Sequence, residues 1–438
     1  MKIKTVLLAL TLLLFALFFL PTKAQAAEVV ATGDVSNGMT WTLDSDGVLT
    51  INGSGKFNRG STQAPWLKAF EDQVKHLVLG EGITSLASNS FDDHNALVSV
   101  TFPRSLTHID DYAFSNCTGL QSVTIPNTVT KTGRDIFERC TGLTSVTFEE
   151  GFCADAPSMF SYCTGLTSVT LPSSLKRISQ SMFSDCTGLS HIDIPDSVTY
   201  IGSYAFSGCK NLSSISLPGT LKHIDDKAFE DCDSLVSVTL PGSLDRVGAF
   251  TFHSCNALET VVLEEGILYV SDNMFSACTK LKNVSLPSTL LLIEYWAFAG
   301  CTSLTFIQIP ENVAFLKEAF YGCSSLQAIY LPKGLKGLSS TVFGWFYRYA
   351  PPRHILFGGS PAEWEQLGYE NGSSKIHYNA SPADYDIETN TCRICAAKSM
   401  QLANRVFTVV IGVAGVAGVA LIGTGVCLVI VLKKKKAQ

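Results

Sequence analysis

The fold is decided by the phrase AFSNCTGLQSVTIPNTV at residues 113–129, because it returns as AFSGCKNLSSISLPGTL at 205–221 and AFEDCDSLVSVTLPGSL at 228–244. Its phenylalanine recurs at Phe91, Phe114, Phe137, Phe160, Phe183, Phe206, Phe229, Phe252, Phe275 and Phe298, each step being 23 residues. Phe320 follows after 22 and Phe343 after 23. Three residues beyond most of these comes a cysteine, from Cys117 to Cys323, and three further on a leucine, from Leu120 to Leu326. Self-similarity at one fixed period of this size is the mark of stacked structural units.

After the leucine each unit runs on as V-x-(L/I/F) or a close variant, usually closed by proline. Val123-Thr124-Ile125-Pro126 and Ile307-Gln308-Ile309-Pro310 are examples. Alternating apolar and polar residues over so short a run predict a strand. Proline then ends the ladder, since it has no N–H to donate. A second apolar stretch, such as Leu221, Ile224 and Ala228-Phe229, brings the chain back round. One coil cannot bury its own apolar side, whereas stacked coils can.

These phrases resemble the BspA-like class of leucine-rich repeats, found in bacterial surface proteins and some protist ones. The resemblance covers residues 74–348. It implies a repeat solenoid of about twelve 23-residue coils with a parallel β-sheet face. It also implies attachment to host matrix or to other cells, and it singles out no ligand.

The flanks read as caps, which a solenoid needs to keep its end coils from water. Residues 38–53 alternate around Asp46-Gly47, a hairpin signal, and predict an N-terminal β cap over 27–73. His354 to Phe357 reads as a last strand and the segment to Trp364 as a capping helix, together a C-terminal cap over 349–370. Residues 371–405 are polar and predict a tether spanning about 30–35 Å as a flexible chain.

Both termini are apolar. Lys2 and Lys4, the run 6–20 and Ala24-Gln25-Ala26 together read as a signal peptide over 1–26. Residues 406–432 carry no charge and are long enough to cross a bilayer as a transmembrane helix. Lys433 to Lys436 follow at once and place the tail 433–438 in the cytoplasm. The expectation is a single-pass type I protein of the cell membrane, with its repeats extracellular. The leader and basic stop suggest a Gram-positive bacterium.

The leader and tail hold seven lysines and no acid, so the total of −6 leaves −13 on the part between them. Nucleic acid and anionic lipid need a basic surface, and this charge argues against both as partners.

The sequence predicts no enzyme, and no catalytic, cofactor-binding or metal-ligating residues. Its eight histidines fall in no H-E-x-x-H and share no ligand spacing, and G-x-S-x-G, P-loop and dinucleotide-binding patterns are missing. Asp110-Asp111 and Asp225-Asp226 occupy equivalent repeat positions, which suits a turn role better than acid–base work.

Ten of the fourteen cysteines share one repeat position. Parallel side chains at equivalent positions do not face one another, so a column of buried free thiols is expected rather than disulfides. Cys392 and Cys395 form a C-x-x-C in the tether, which could be a local disulfide, a redox pair or half a metal site, with a disulfide or plain free thiols favoured. A four-ligand zinc site would need a second pair, which the tether lacks.

Binding is expected on outward positions of successive coils. These run as Ser and Thr from Ser99/Thr101 to Ser237/Thr239, interrupted by His191/Asp193. Such a row either suits a flat, tightly stacked sheet or offers hydroxyls to a glycan or an extended peptide. Later coils present Phe306/Gln308 and Ala328/Tyr330, and an aromatic run includes Trp345, Tyr347 and Arg348. Aromatics are enriched at binding hot spots, although this run could equally seal the solenoid end. The ligand-binding candidates are therefore His191, Asp193, Phe306, Gln308, Tyr330, Trp345, Tyr347 and Arg348. The expected function is adhesion or protein binding at the cell surface, with an extracellular protein or glycan as ligand. The alternative is a structural or sensory scaffold for a partner in the same membrane.

Overall fold

The computed structural model describes residues 27–35, 38–58, 69–343, 351–369 and 373–402. The expected signal peptide, membrane span and basic tail lie outside them. Among the described residues no helix is long and apolar enough to cross a membrane.

Most coils lay down two short strands and a run of turns. The V-x-(L/I) strands stack in parallel, with Ser122–Ile125, Ser145–Phe148 and Ser168–Thr170 in register so that Val123, Val146 and Val169 lie side by side. Val123 and Ile125 point inward and are buried, whereas Ser122 and Thr124 are exposed. The Ser/Thr row is thus the outer face of this sheet. Strand pairing lapses over 190–194 and 213–217 and resumes at Ser237–Leu240. The second strand of each coil forms a further parallel column, running through Tyr200–Ile201, His223–Ile224 and Arg246–Val247.

The remaining side is made of turns, and here the repeated phenylalanine does its packing. The rings stack in a continuous column, Phe114 on Phe137 at 5.3 Å and 9° and Phe229 on Phe252 at 5.3 Å and 2°. Phe57 of the N-terminal cap supplies a ring outside the 23-residue series, 5.0 Å from Phe91. Residues two before and two after the phenylalanine adopt positive φ in most coils, as at Tyr112 (58°) and Asn116 (59°). Left-handed backbone is costly for side chains such as Tyr112, Lys227 and Trp296. The cost is offset by hydrogen bonds between coils, for example from the Phe114 amide to the Ile136 carbonyl at 2.8 Å.

The cysteine column is buried and free, as the spacing predicts. Each thiol donates to the carbonyl of the phenylalanine one coil back, Cys117 to Phe91 at 3.1 Å and Cys140 to Phe114 at 3.2 Å. Burial pushes the thiols of Cys163, Cys278 and Cys323 up to about 12.

The N-terminal cap is a three-stranded meander. Val29–Asp34 pairs antiparallel with Thr40–Asp44, which pairs with Val48–Asn52 across the Asp46-Gly47 turn. Gly47 has φ +81, and a Cβ there would lie 2.5 Å from the Gln73 carbonyl oxygen, so glycine is needed twice over. Val48–Asn52 then pairs in parallel with His76–Leu79 and hands the sheet to the solenoid.

The C-terminal end departs from expectation. His354–Phe357 pairs in parallel with Ala328–Leu331, and the helix Pro361–Gln366 follows with a Ser360/Glu363 capping box and buried Trp364, close to the predicted cap. That strand is not the last, because Lys375–His377 adds another parallel rung. The chain then forms a hairpin of Tyr385–Asp386 with Thr391–Cys392 and turns helical over 393–402. For residues 373–402, the expectation of a flexible tether is therefore corrected. Few apolar residues occur in this stretch, but the outer face of the last coils supplies the rest. Ala328, Tyr330 and Leu356 pack with Ala380, Tyr385 and Cys392 into a second small core.

Candidate functional site

The described residues among those singled out from sequence do not form one site. His191 and Asp193 are exposed on the outer face and hydrogen-bonded to each other at 2.9 Å, where the strand pairing lapses. Gln308 is exposed. Phe306, expected to be free, is stacked on Tyr385 at 5.3 Å and 8°. Tyr330 is only 5% exposed, and its hydroxyl donates to Glu311 at 2.7 Å. Burial, followed by this carboxylate, holds the Tyr330 phenol well above its usual range. Residues 378–395 fold back over these two aromatics, burying Tyr330 and leaving Phe306 partly buried. Trp345, Tyr347 and Arg348 lie outside the described residues.

Exposed aromatics gather instead on the second strand column. Tyr269, Leu292 and Phe315 follow Arg246 at steps of 23 and are register partners in Tyr269–Val270, Leu292–Ile293 and Phe315–Leu316. Tyr269 is 47% exposed and Phe315 50%, with Tyr295 and Trp296 close to these values. A cleft of about 740 Å³ opens here, lined by Arg246, Leu268, Tyr269, Asp272, Tyr295 and Lys317 among others. The Lys317 ammonium lies 4.5 Å over the Tyr295 ring and 2.7 Å from Glu294, whose hydrogen bond raises the lysine pKa. The sequence carried a signal for this surface. The same repeat position reads Arg177, Tyr200, His223 and Arg246 before it turns aromatic and aliphatic.

A third feature lies under the C-terminal hairpin. His354 and His377 come from adjacent strands, and Cys392 and Cys395 from the hairpin end and the helix that follows. His354 Nδ1 is 3.1 Å from His377 Nε2, and Cys392 Sγ is 3.5 Å from the same Nε2. Cys395 Sγ is 3.7 Å from His377 Nε2 and 3.9 Å from His354 Nδ1. The four donor atoms all lie within 4.8 Å of one another. Burial, and after it neighbouring positive groups such as Lys375, lower both imidazole pKa values and favour the neutral rings. Burial raises the Cys392 thiol, while the Cys395 amide, 3.4 Å from its sulfur, acts in the other direction. Of the two further donors, His354 comes from the predicted C-terminal cap, and His377 lies within the C-x-x-C's own stretch, on the rung that stretch adds to the solenoid. Spacing could not reveal the set, because the histidines become neighbours only when the last rungs stack.

Parallel short-strand columns, a phenylalanine stack and regular inward leucines define a leucine-rich-repeat solenoid. Residues 68–190, 156–257 and 245–346 match the model of the BspA type leucine rich repeat region, in six copies. The chain belongs to that family. It is similar to a solved leucine-rich repeat protein from Bacteroides ovatus, with 21% identity, a TM-score of 0.57, and 81% of this chain and 99% of that one covered. A leucine rich cell surface protein from Faecalibacterium prausnitzii matches at 24% identity and a TM-score of 0.42, over 77% of this chain and 97% of that one. A leucine-rich repeat protein from Eubacterium ventriosum matches at 22% and 0.46, over 72% and 94%. No curated protein matches the chain.

Proposed function

We propose that this protein is a non-catalytic binding module displayed at the cell surface, and that it holds an extracellular protein through the aromatic cleft of its second strand column. The observation that carries the reading is the cluster of half-exposed aromatic rings at Tyr269, Tyr295, Trp296 and Phe315. Large rings left in water on a rigid scaffold have little to offer stability and much to offer a partner. The carboxylates of Asp272 and Glu294 and the cations of Arg246 and Lys317 around them would fix the partner's orientation. Membership of the repeat family supports a protein-binding scaffold. Anchoring by residues 406–432 and adhesion as the outcome are part of the same proposal.

The test is binding of the purified chain to a panel of extracellular matrix proteins, glycans and whole cells. Saturable binding to a protein is expected, weakened at least tenfold in a Tyr269→Ala, Phe315→Ala double variant. A tenfold loss corresponds to about 1.4 kcal/mol, less than the roughly 2 kcal/mol or more that truncating one hot-spot residue costs. Protein binding that this variant leaves unchanged, or binding to glycans alone, sinks the cleft assignment.

A further inference from the structure

We infer that His354, His377, Cys392 and Cys395 bind one zinc ion, which fastens the C-terminal segment onto the last rungs of the solenoid. The first argument is geometric. Tetrahedral zinc with Zn–N of about 2.0–2.1 Å and Zn–S of about 2.3 Å sets N···N edges at roughly 3.3 Å and N···S edges at roughly 3.6 Å. Four of the six edges here are 3.1 Å for the nitrogen pair and 3.5, 3.7 and 3.9 Å for nitrogen to sulfur, and the remaining two are within 4.8 Å. Four side chains from two strands, a hairpin and a helix therefore present their donor atoms around one centre, with four edges close to tetrahedral spacing.

The second argument is the accounting of lone pairs. His377 Nε2 is approached by His354 Nδ1 and by both sulfurs. A neutral ring nitrogen has one lone pair or one proton in the ring plane, so protons alone could satisfy one of these three contacts. A cation at the common centre takes a lone pair from all four atoms at once. Two thiolates and two neutral imidazoles then cancel the charge of a divalent ion, and binding releases the two thiol protons. Nitrogen and sulfur donors in a closed set of four favour zinc over magnesium or calcium, which take oxygen.

The third argument concerns what the ion would hold. Residues 378–402 contribute only Ala380, Tyr385, Cys392, Ile394 and Cys395 to the small core beneath them. So little apolar surface is a weak hold for a segment of this length, whereas one structural zinc ties four points together. The ion would close the outer face over Phe306 and Tyr330, and fix where the chain leaves the solenoid.

The test uses the full chain, purified without chelator, with zinc measured by elemental mass spectrometry. One zinc per chain is expected, with loss in both Cys395→Ser and His377→Ala, and retention in Cys153→Ser, whose thiol is exposed elsewhere. Should the site variants fail to fold, cobalt exchange in the unmutated chain reads the same site. Tetrahedral ligand-field bands together with a thiolate charge-transfer band are expected. A Cys392–Cys395 disulfide in the freshly purified chain, zinc-free protein with free thiols that gives no such cobalt spectrum, or zinc that persists in both site variants would overturn the inference.

Discussion

Cys209 shows how a single repeat position is chosen. Its side chain is fully buried, and its thiol donates to the Phe183 carbonyl at 3.2 Å. The space between successive coils admits a small residue, and the phenylalanine carbonyl asks for a donor. Cysteine meets both demands with a weakly polar group that is cheap to bury. A buried thiol with a raised pKa, as at Cys209, carries almost no thiolate at neutral pH, and burial alone keeps a reagent from any column sulfur. In a native-state titration with a disulfide reagent at neutral pH, exposed Cys153 should react quickly, and the ten column cysteines only after denaturant is added. Fast reaction of several column thiols in the native chain would contradict the packing. The neighbouring ring is the larger contributor to stability. Phe206 stacks on Phe183 at 5.6 Å and on Phe229 at 5.3 Å with no exposed surface. Phe206→Ala should cost about 3–5 kcal/mol, read from urea unfolding, because the cavity is lined by two rigid rings that cannot close over it.

At the scale of the element, the coil is the unit of stability. A strand such as Tyr200–Ile201 is two residues long and cannot persist alone. It exists because Arg177–Ile178 and His223–Ile224 flank it at the same register. Each coil touches chiefly its two neighbours, so stability should be nearly a sum over coils and their interfaces. Removing residues 229–251 would place Phe252 where Phe229 stood, with its ring, thiol and leucine columns unbroken. That deletion should give a folded chain with a single unfolding transition and somewhat lower stability, by circular dichroism. Removing half that length should leave no cooperative transition, because it sets the phenylalanine column against a strand.

For the whole molecule, the closed ends decide what remains available for binding. The N-terminal meander covers one end and extends the ring column with Phe57. At the other end, residues 375–402 cover the outer face of the last coils, including the aromatics that the repeat pattern had put forward as contacts. Among the described residues none covers the second strand column in this way: Tyr269 and Phe315 are exposed there, and Tyr269 and Tyr295 line an open cleft. The net charge of −13 on residues 27–432 bears on the kind of partner, since it disfavours polyanions and leaves proteins as suitable ligands.

By itself the sequence determined the coil. A period of 23 with phenylalanine, cysteine and leucine at fixed offsets specifies strand, turn and inward column, because each coil packs mainly on copies of itself. The Asp46-Gly47 hairpin and the helix that buries Trp364 were legible for the same local reason. What only the tertiary structure decided lies where the period stops. Residues 373–402 look like a polar tether, since their own apolar content is small, and the surface that orders them belongs to other coils. Phe306 and Tyr330 read as exposed because alternation places them outward, yet alternation does not say what folds over that face. His354 and His377 carry no motif with Cys392 and Cys395. Their donor atoms meet because parallel stacking brings two rungs side by side and the hairpin returns across them, a relation between distant segments that one-dimensional spacing does not encode.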